Sequence, residues 1–139
     1  MKDLKAFTEF KVRFSEVDSM RVVWHGNYLK YFEDGREAFG LQHDLDYLKL
    51  YDLGFLTPIV HTELDFKWPL RYGDTGVIET RLESCLAAKI IHHYRIYNAH
   101  TEKTLVTGKT IQVFTDIKGQ LILNNPDFYQ NWKKLKGLS

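Results

Sequence analysis

The sequence predicts an α+β fold in which an antiparallel sheet packs on one long helix. Three observations carry that prediction. Aromatic residues between Asn27 and Phe39 recur at helical spacing, and four strand-like runs follow between Val60 and Thr115. The turns between those runs are short enough to join antiparallel neighbours. With 139 residues, no linker and no repeat, positions 1–139 read as a single domain large enough for one core.

Taken in chain order, Thr8, Phe10, Val12 and Phe14 alternate with Glu9, Lys11 and Arg13, the two-residue period of a half-buried strand. The polar turn from Ser15 to Arg21 ends it. A helix is predicted from Asn27, a residue suited to the N-cap, to Phe39. Tyr28, Tyr31, Phe32, Gly35 and Phe39 share one face of it. Gly35 costs about 1 kcal/mol against Ala in a helix, which predicts that this helix approaches the sheet closely there. A second short helix fits Asp44 to Leu53, with Leu45 and Leu48 inward and Gly54 as its stop.

The next strand sets Val60, Thr62, Leu64, Phe66 and Trp68 on one face. Thr75 to Ser84 follows, with Ile78, Thr80 and Leu82 on one side, then Ile90 to Tyr97 and Leu105 to Thr115. Turns at Arg71 to Asp74, Ala99 to Lys103 and Asp116 to Gln120 punctuate them. In the tail, Asn124-Asn125-Pro126 predicts a cap with Pro at the first helical position. Phe128, Trp132 and Leu135 then form a helical stripe, and lysines suit the C-terminal end.

Composition excludes several classes. A net charge of +1 gives no general pull toward nucleic acid or a membrane surface, and no window nears the roughly 20 apolar residues of a membrane span. The one cysteine, Cys85, has no partner for an internal disulfide, and no signal-peptide-like run opens the chain, so a cytoplasmic location is expected. His92 and His93 are adjacent on a strand and point to opposite faces. Without a cysteine pair or HExxH spacing, no metal site is expected, and no Walker A or GxGxxG pattern calls for a nucleotide cofactor.

The chemistry concentrates between Arg13 and Phe39. Phe14, the pair Glu16 and Asp18 around Val17, then Val22, Val23, Trp24, His25, Asn27 and Tyr28 form a pattern that resembles the active-site segment of the 4-hydroxybenzoyl-CoA thioesterase-like hotdog family, in its YbgC-like acyl-CoA thioesterase subgroup. Leu56 to Val60 and Pro69 to Asp74 resemble connectors of that family in order and spacing. The resemblance implies a hotdog fold, a five-stranded antiparallel sheet wrapped around one long central helix. It also implies an acyl-CoA thioesterase that assembles as a homo-oligomer, dimer or tetramer, with sites at subunit interfaces.

On residues alone, Ser15 to Asp18 reads as a solvated acidic turn. The resemblance instead makes Asp18 the nucleophile or general base, with Glu16 as a secondary candidate. It assigns the oxyanion site to a backbone N–H at the start of the helix, at His25 or a neighbour, with Gly26 permitting close approach. The His25 side chain reads either as a proton shuttle or as a partly buried histidine bonded to backbone. Trp24, Asn27, Tyr28 and Tyr31 are candidate substrate contacts, though tyrosines at helical spacing also suit a plain core. Lys67, Arg71 and Lys89 are candidates for the coenzyme A phosphates.

Two departures from the family pattern stand out. The region before Lys89 lacks a basic cluster, which leaves acyl carrier protein as an alternative carrier. Arg21 replaces a common glycine, suggesting a different backbone shape there. The rival readings are a hotdog dehydratase and a non-catalytic acyl-thioester binding module.

Overall fold

A computed structural model describes residues 4–138. Its strands are β1 (Lys5–Lys11), β2 (Ile59–Phe66), β3 (Thr75–Glu83), β4 (Lys89–Asn98), β5 (Thr104–Thr115) and β6 (Leu121–Ile122), and its helices are α1 (Tyr28–His43), α2 (Tyr47–Asp52) and α3 (Asp127–Leu135). Five strands form the main sheet in the order β1-β3-β4-β5-β2, with every neighbouring pair antiparallel, and the two-residue β6 adds to β5.

The sheet curls so that α1 touches all five main strands. Tyr31 stacks on Phe10 of β1 at 4.3 Å between ring centroids, and Phe32 stacks on Tyr94 of β4 at 4.2 Å. Tyr28 meets Phe66 of β2 edge-on at 5.3 Å. Gly35 lies against β3, where a Cβ would come 2.5 Å from Thr80 Oγ1 and 2.8 Å from Ile78 Cγ2. Gly108 leaves room on β5 for the Phe32 ring. Burying a phenylalanine such as Phe32 completely stabilises the fold by about 2–3 kcal/mol, so these ring contacts fix where α1 sits. The close approach expected at Gly35 is therefore present, and the stripe Tyr28, Tyr31, Phe32, Gly35, Phe39 is buried as a unit.

A second apolar cluster closes the other end. Phe39, Leu82, Phe114, Tyr129 and Trp132 meet there, and the Trp132 indole N–H donates to the His43 carbonyl at 2.6 Å, satisfying an orphan acceptor at the end of α1.

Several expected details differ. β1 ends at Lys11, and Phe14 sits exposed in a 3-10 turn rather than on the inner face. α1 runs four residues past Phe39 to His43, because Asp44 in the left-handed conformation closes it (φ 61°). α2 starts only at Tyr47, capped by Asp46, and turns Leu50 inward while Leu48 is exposed. The predicted inner face of β2 is half right: Thr62 and Leu64 are partly covered, but Val60, Phe66 and Trp68 are exposed because β2 is an edge strand with nothing over its ends. In α3, Tyr129 takes the buried position expected of Leu135, which is 85% exposed, and Pro126 occupies the cap itself. The Asn125 side chain does not cap α3; its amide donates to the Leu86 carbonyl. β6 was not predicted, since two residues carry no periodicity.

Candidate active site

Between β1 and α1 the chain makes a tight hairpin. Val17 bridges Val23, and both pack on the core. The Asp18 N–H donates to the Val22 carbonyl at 2.9 Å, and the Arg21 N–H donates back to the Asp18 carbonyl at 3.0 Å, closing a turn over residues 18–21. Asp18 Oδ1 accepts the Met20 N–H at 2.8 Å, a local bond that favours Asp at such turns. Among the described residues, Asp18 Oδ2 receives no hydrogen bond, and the residue is half-buried. One oxygen is anchored and the other is available. Arg21 keeps the left-handed conformation, with φ 65°, so the different backbone shape expected from its side chain is not adopted.

Glu16 fastens this hairpin to α1. Its Oε1 accepts the Arg13 N–H at 2.8 Å and the Tyr31 hydroxyl at 3.0 Å. Its carbonyl accepts both the Trp24 N–H and the Asn27 side-chain amide at 2.9 Å. Asn27 is thus not a side-chain cap; its amide reaches back across the hairpin, and a 3-10 turn, His25–Asn27, leads into α1. Burial, and then the Glu16 carboxylate, push the Tyr31 hydroxyl well above the usual tyrosine range, so it remains a donor. Burial also raises Tyr28, whose hydroxyl accepts the Leu70 N–H at 3.3 Å.

At the start of α1, neither the His25 nor the Gly26 N–H donates to a backbone carbonyl among the described residues. Such groups at a helix N-terminus carry partial positive charge. The His25 ring is exposed, 5.0 Å from the Trp24 ring. The space above Gly26 is filled by the Trp24 indole, so the close approach this glycine permits is made by a neighbouring side chain.

Asp18, Glu16, Trp24, His25, Gly26, Asn27, Tyr28 and Tyr31 therefore gather at one end of α1. Arg71 joins them, since its backbone bridges Val22, and exposed Lys67 follows β2 at the same end, its N–H on the Leu105 carbonyl. Lys89 does not join them. It opens β4 opposite Val113, about 30 Å along the strand from Asn98. Lys103, which sequence reasoning missed, lies with Nζ 3.4 Å above the Trp68 ring. A cation stacking across two loops leaves no local sequence signal.

A separate cleft of about 710 Å³ opens beside the second half of α1, between that helix, α2 and the start of β2. Arg36, His92 and Gln112 line it among apolar neighbours. His92 and His93 do face opposite sides of β4: His92 is buried, whereas His93 pairs with Glu83 at 2.7 Å. No group of three or more His, Cys, Asp or Glu side chains among the described residues is arranged to hold a metal ion.

A model of the thioesterase-like superfamily matches residues 12–133. The chain is 36% identical over 97 residues to a protein of Bacillus subtilis (strain 168) named as a candidate acyl-CoA thioesterase, YneP, covering 70% of each. It is 25% identical over 133 residues to a 1,4-dihydroxy-2-naphthoyl-CoA hydrolase of Prochlorococcus marinus (strain MIT 9515), covering 88% of this chain and 84% of that one. Its structure is similar to that of a DHNA-CoA thioesterase from Staphylococcus aureus, with TM-score 0.83 at 23% identity over 96% of this chain and 91% of that one.

Proposed function

The chain belongs to the thioesterase-like superfamily, has the hotdog fold and is a thioester hydrolase; on that premise we propose that it cleaves acyl-CoA, with Asp18 attacking the thioester or activating water. The observation that carries this reading is the hairpin: a half-buried carboxylate with one oxygen anchored on the Met20 N–H stands next to a helix start whose first N–H groups have no backbone acceptor.

The chemistry follows from that pairing. An oxygen, from water or from Asp18 itself, adds to the thioester carbon, and the carbonyl oxygen becomes an oxyanion. The N–H of His25 or Gly26 stabilises that charge, a contribution worth about 10²–10³ in rate for one donor. The C–S bond then breaks, and the coenzyme A thiolate leaves and takes up a proton. If Asp18 acts as base, it holds the water proton in the interval; if it acts as nucleophile, water hydrolyses the resulting anhydride. The His25 ring, exposed beside the turn, is suited to pass the proton to the leaving sulfur. Glu16 holds the turn in position through Tyr31 and Asn27.

Trp24, Gly26, Asn27, Tyr28 and Tyr31 flank the thioester in this reading. The two tyrosine hydroxyls are committed to Leu70 and Glu16 and the residues are 3% and 2% exposed, so they back the site from the core, and contact with the thioester falls to Trp24 and Gly26. Lys67 and Arg71 stand at the mouth for the phosphates.

Strand β2 supports a homo-oligomer through its free edge. Its outer edge has no strand neighbour among the described residues, and Ile59, Val60, Phe66 and Trp68 are exposed along it. An unpaired apolar edge invites another strand. Two copies related by a two-fold axis would pair these edges antiparallel. The Phe66 end of one chain, beside its Tyr28 and catalytic turn, would then meet the Ile59 end of the other, which is also the Lys89 end of the sheet. A dimer of this kind, or a tetramer built from it, brings Lys89 toward the other chain's site. The single free cysteine suits a cytoplasmic location.

Thiol release from a panel of acyl-CoAs tests the reading, with the same acyl groups on acyl carrier protein alongside. Turnover of the CoA series is expected. Release only from acyl carrier protein selects that carrier, and an enoyl product without free thiol selects a dehydratase. Light scattering is expected to give twice or four times the chain mass; a monomer contradicts the shared site.

A further inference from the structure

Strand alternation turns His92 of β4 toward α1, between Leu82 of β3 and Thr110 of β5, with its ring 5.1 Å from that of Phe39. The residue is only 4% exposed, and neither ring nitrogen has a hydrogen-bond partner among the described residues. The Gln112 side chain makes a contact with the ring that falls short of a full hydrogen bond and favours its protonation, too weakly to offset burial and the Arg36 charge, which hold the ring neutral. An unpartnered buried polar group costs about 1–3 kcal/mol, so such groups need an explanation. A position that required only shape would be better filled by an apolar ring.

The surroundings narrow the explanation. Thr80 Oγ1, against Gly35 and away from the cleft, is likewise without a partner, but the polar side chains around His92 are paired. Gln112 Nε2 donates to the Thr57 carbonyl at 2.8 Å and to its hydroxyl at 3.2 Å. Arg36 donates to the Tyr94 hydroxyl at 3.2 Å, and Tyr94 and Thr110 share a bond of 2.6 Å. His92 remains over, in the wall of a cleft of about 710 Å³ otherwise lined by residues such as Phe39, Leu45, Leu50, Ile59 and Ile90. That volume is in the range of small-molecule sites, where a few polar groups in an apolar wall fix a ligand's orientation. A neutral imidazole offers one donor and one acceptor, which is the complement of a hydroxyl group. Glu33, Glu37 and Asp46 on the same cleft disfavour an anion. Pro58 and Ile59 line the cleft at the end of β2 that the two-fold pairing proposed above would set against the other chain's catalytic turn.

We propose that this cleft holds the acyl group and that His92 is a specificity-determining residue, hydrogen-bonding a hydroxyl on that acyl group. The inference rests on the acyl thioesterase reading above.

The test uses two matched pairs, 4-hydroxybenzoyl-CoA with benzoyl-CoA and 8-hydroxyoctanoyl-CoA with octanoyl-CoA, against the wild type, His92→Phe and His92→Leu. The proposal expects the ratio of kcat/KM, hydroxylated over plain, to fall about tenfold in both variants for at least one pair, while hydrolysis of the plain member survives. Thermal melting of His92→Phe is expected to match or exceed the wild type, because replacing an unpartnered polar ring by an apolar one of similar shape removes a cost. A ratio that stays within twofold for both pairs overturns the assignment. If the wild type hydrolyses none of the four, the panel above decides the thioesterase reading separately, and calorimetric binding of the thioethers 4-hydroxyphenacyl-CoA and phenacyl-CoA decides the pocket. A wild-type preference for the hydroxylated thioether that His92→Phe abolishes supports the proposal, and equal affinities overturn it.

Discussion

The Tyr31 hydroxyl donates to Glu16 Oε1 at 3.0 Å, so the turn that carries Asp18 is fastened to the buried face of α1 about one turn after the helix begins. The same carboxylate satisfies the Arg13 N–H, and the Glu16 carbonyl takes the Asn27 amide. A residue two positions from the candidate catalytic carboxylate thereby ties turn and helix together, which supports the positioning role proposed for Glu16.

Alkaline stability follows from the buried tyrosines. Burial raises Tyr28, Tyr31, Tyr94 and Tyr129 above the ordinary value near 10. The folded state then binds protons more tightly than the unfolded chain above about pH 10, so stability is intact below that pH and is lost as pH rises toward the folded values. Denaturant midpoints should hold steady between about pH 8 and pH 10 and then fall. The tyrosinate absorbance of these four rings should appear only with unfolding. Tyr31→Phe should cost about 1–2 kcal/mol at neutral pH.

Gly35→Ala should destabilise the fold by about 1–3 kcal/mol, although Ala is the better helix former by about 1 kcal/mol. The new methyl would sit 2.5 Å from Thr80 Oγ1 and 2.8 Å from Ile78 Cγ2, forcing α1 off β3. A urea melt checks the sign.

Arg21→Gly should stabilise by up to about 1 kcal/mol. Left-handed backbone costs a side-chain-bearing residue about 1–2 kcal/mol, partly offset by the greater chain entropy glycine loses on folding. The φ of 65° at Arg21 is the reason. A raised melting temperature with unchanged thiol release is the expected result.

Acid stability should report on His92. Burial pulls its pKa from the ordinary 6.5 down to about 3. Below about pH 6.5 the unfolded chain gains a proton that the folded state refuses, so this contribution is present above that pH and is lost as pH falls toward 3. His92→Phe should flatten the slope of denaturant midpoint against pH between about 6.5 and 4, and an unchanged slope contradicts the neutral buried ring.

The sequence made legible what depends on periodicity. The stripe from Tyr28 to Phe39 and the alternation through Ile78, Thr80 and Leu82 required only residue spacing, and both are buried as read. Edge exposure was not legible at Val60, Phe66 and Trp68, because local alternation does not reveal which strand lacks a neighbour. Leu135 and Tyr129 exchanged roles because both lie near the same helical stripe, and packing against Phe114 chose between them. At the candidate site, the pattern around Asp18 was visible in the residues. The Glu16–Tyr31 bond spans 15 positions, and the unpartnered state of His92 depends on how its neighbours pair, so only the fold displays them.

The most direct test of the account is the rate of thiol release by Asp18→Asn beside the wild type, on the best acyl-CoA of the panel. Asparagine keeps an oxygen to accept the Met20 N–H, so the turn and the melting temperature should be preserved. The account predicts a fall in kcat of at least about 10²-fold. A folded Asp18→Asn variant that retains most of the wild-type rate would contradict it.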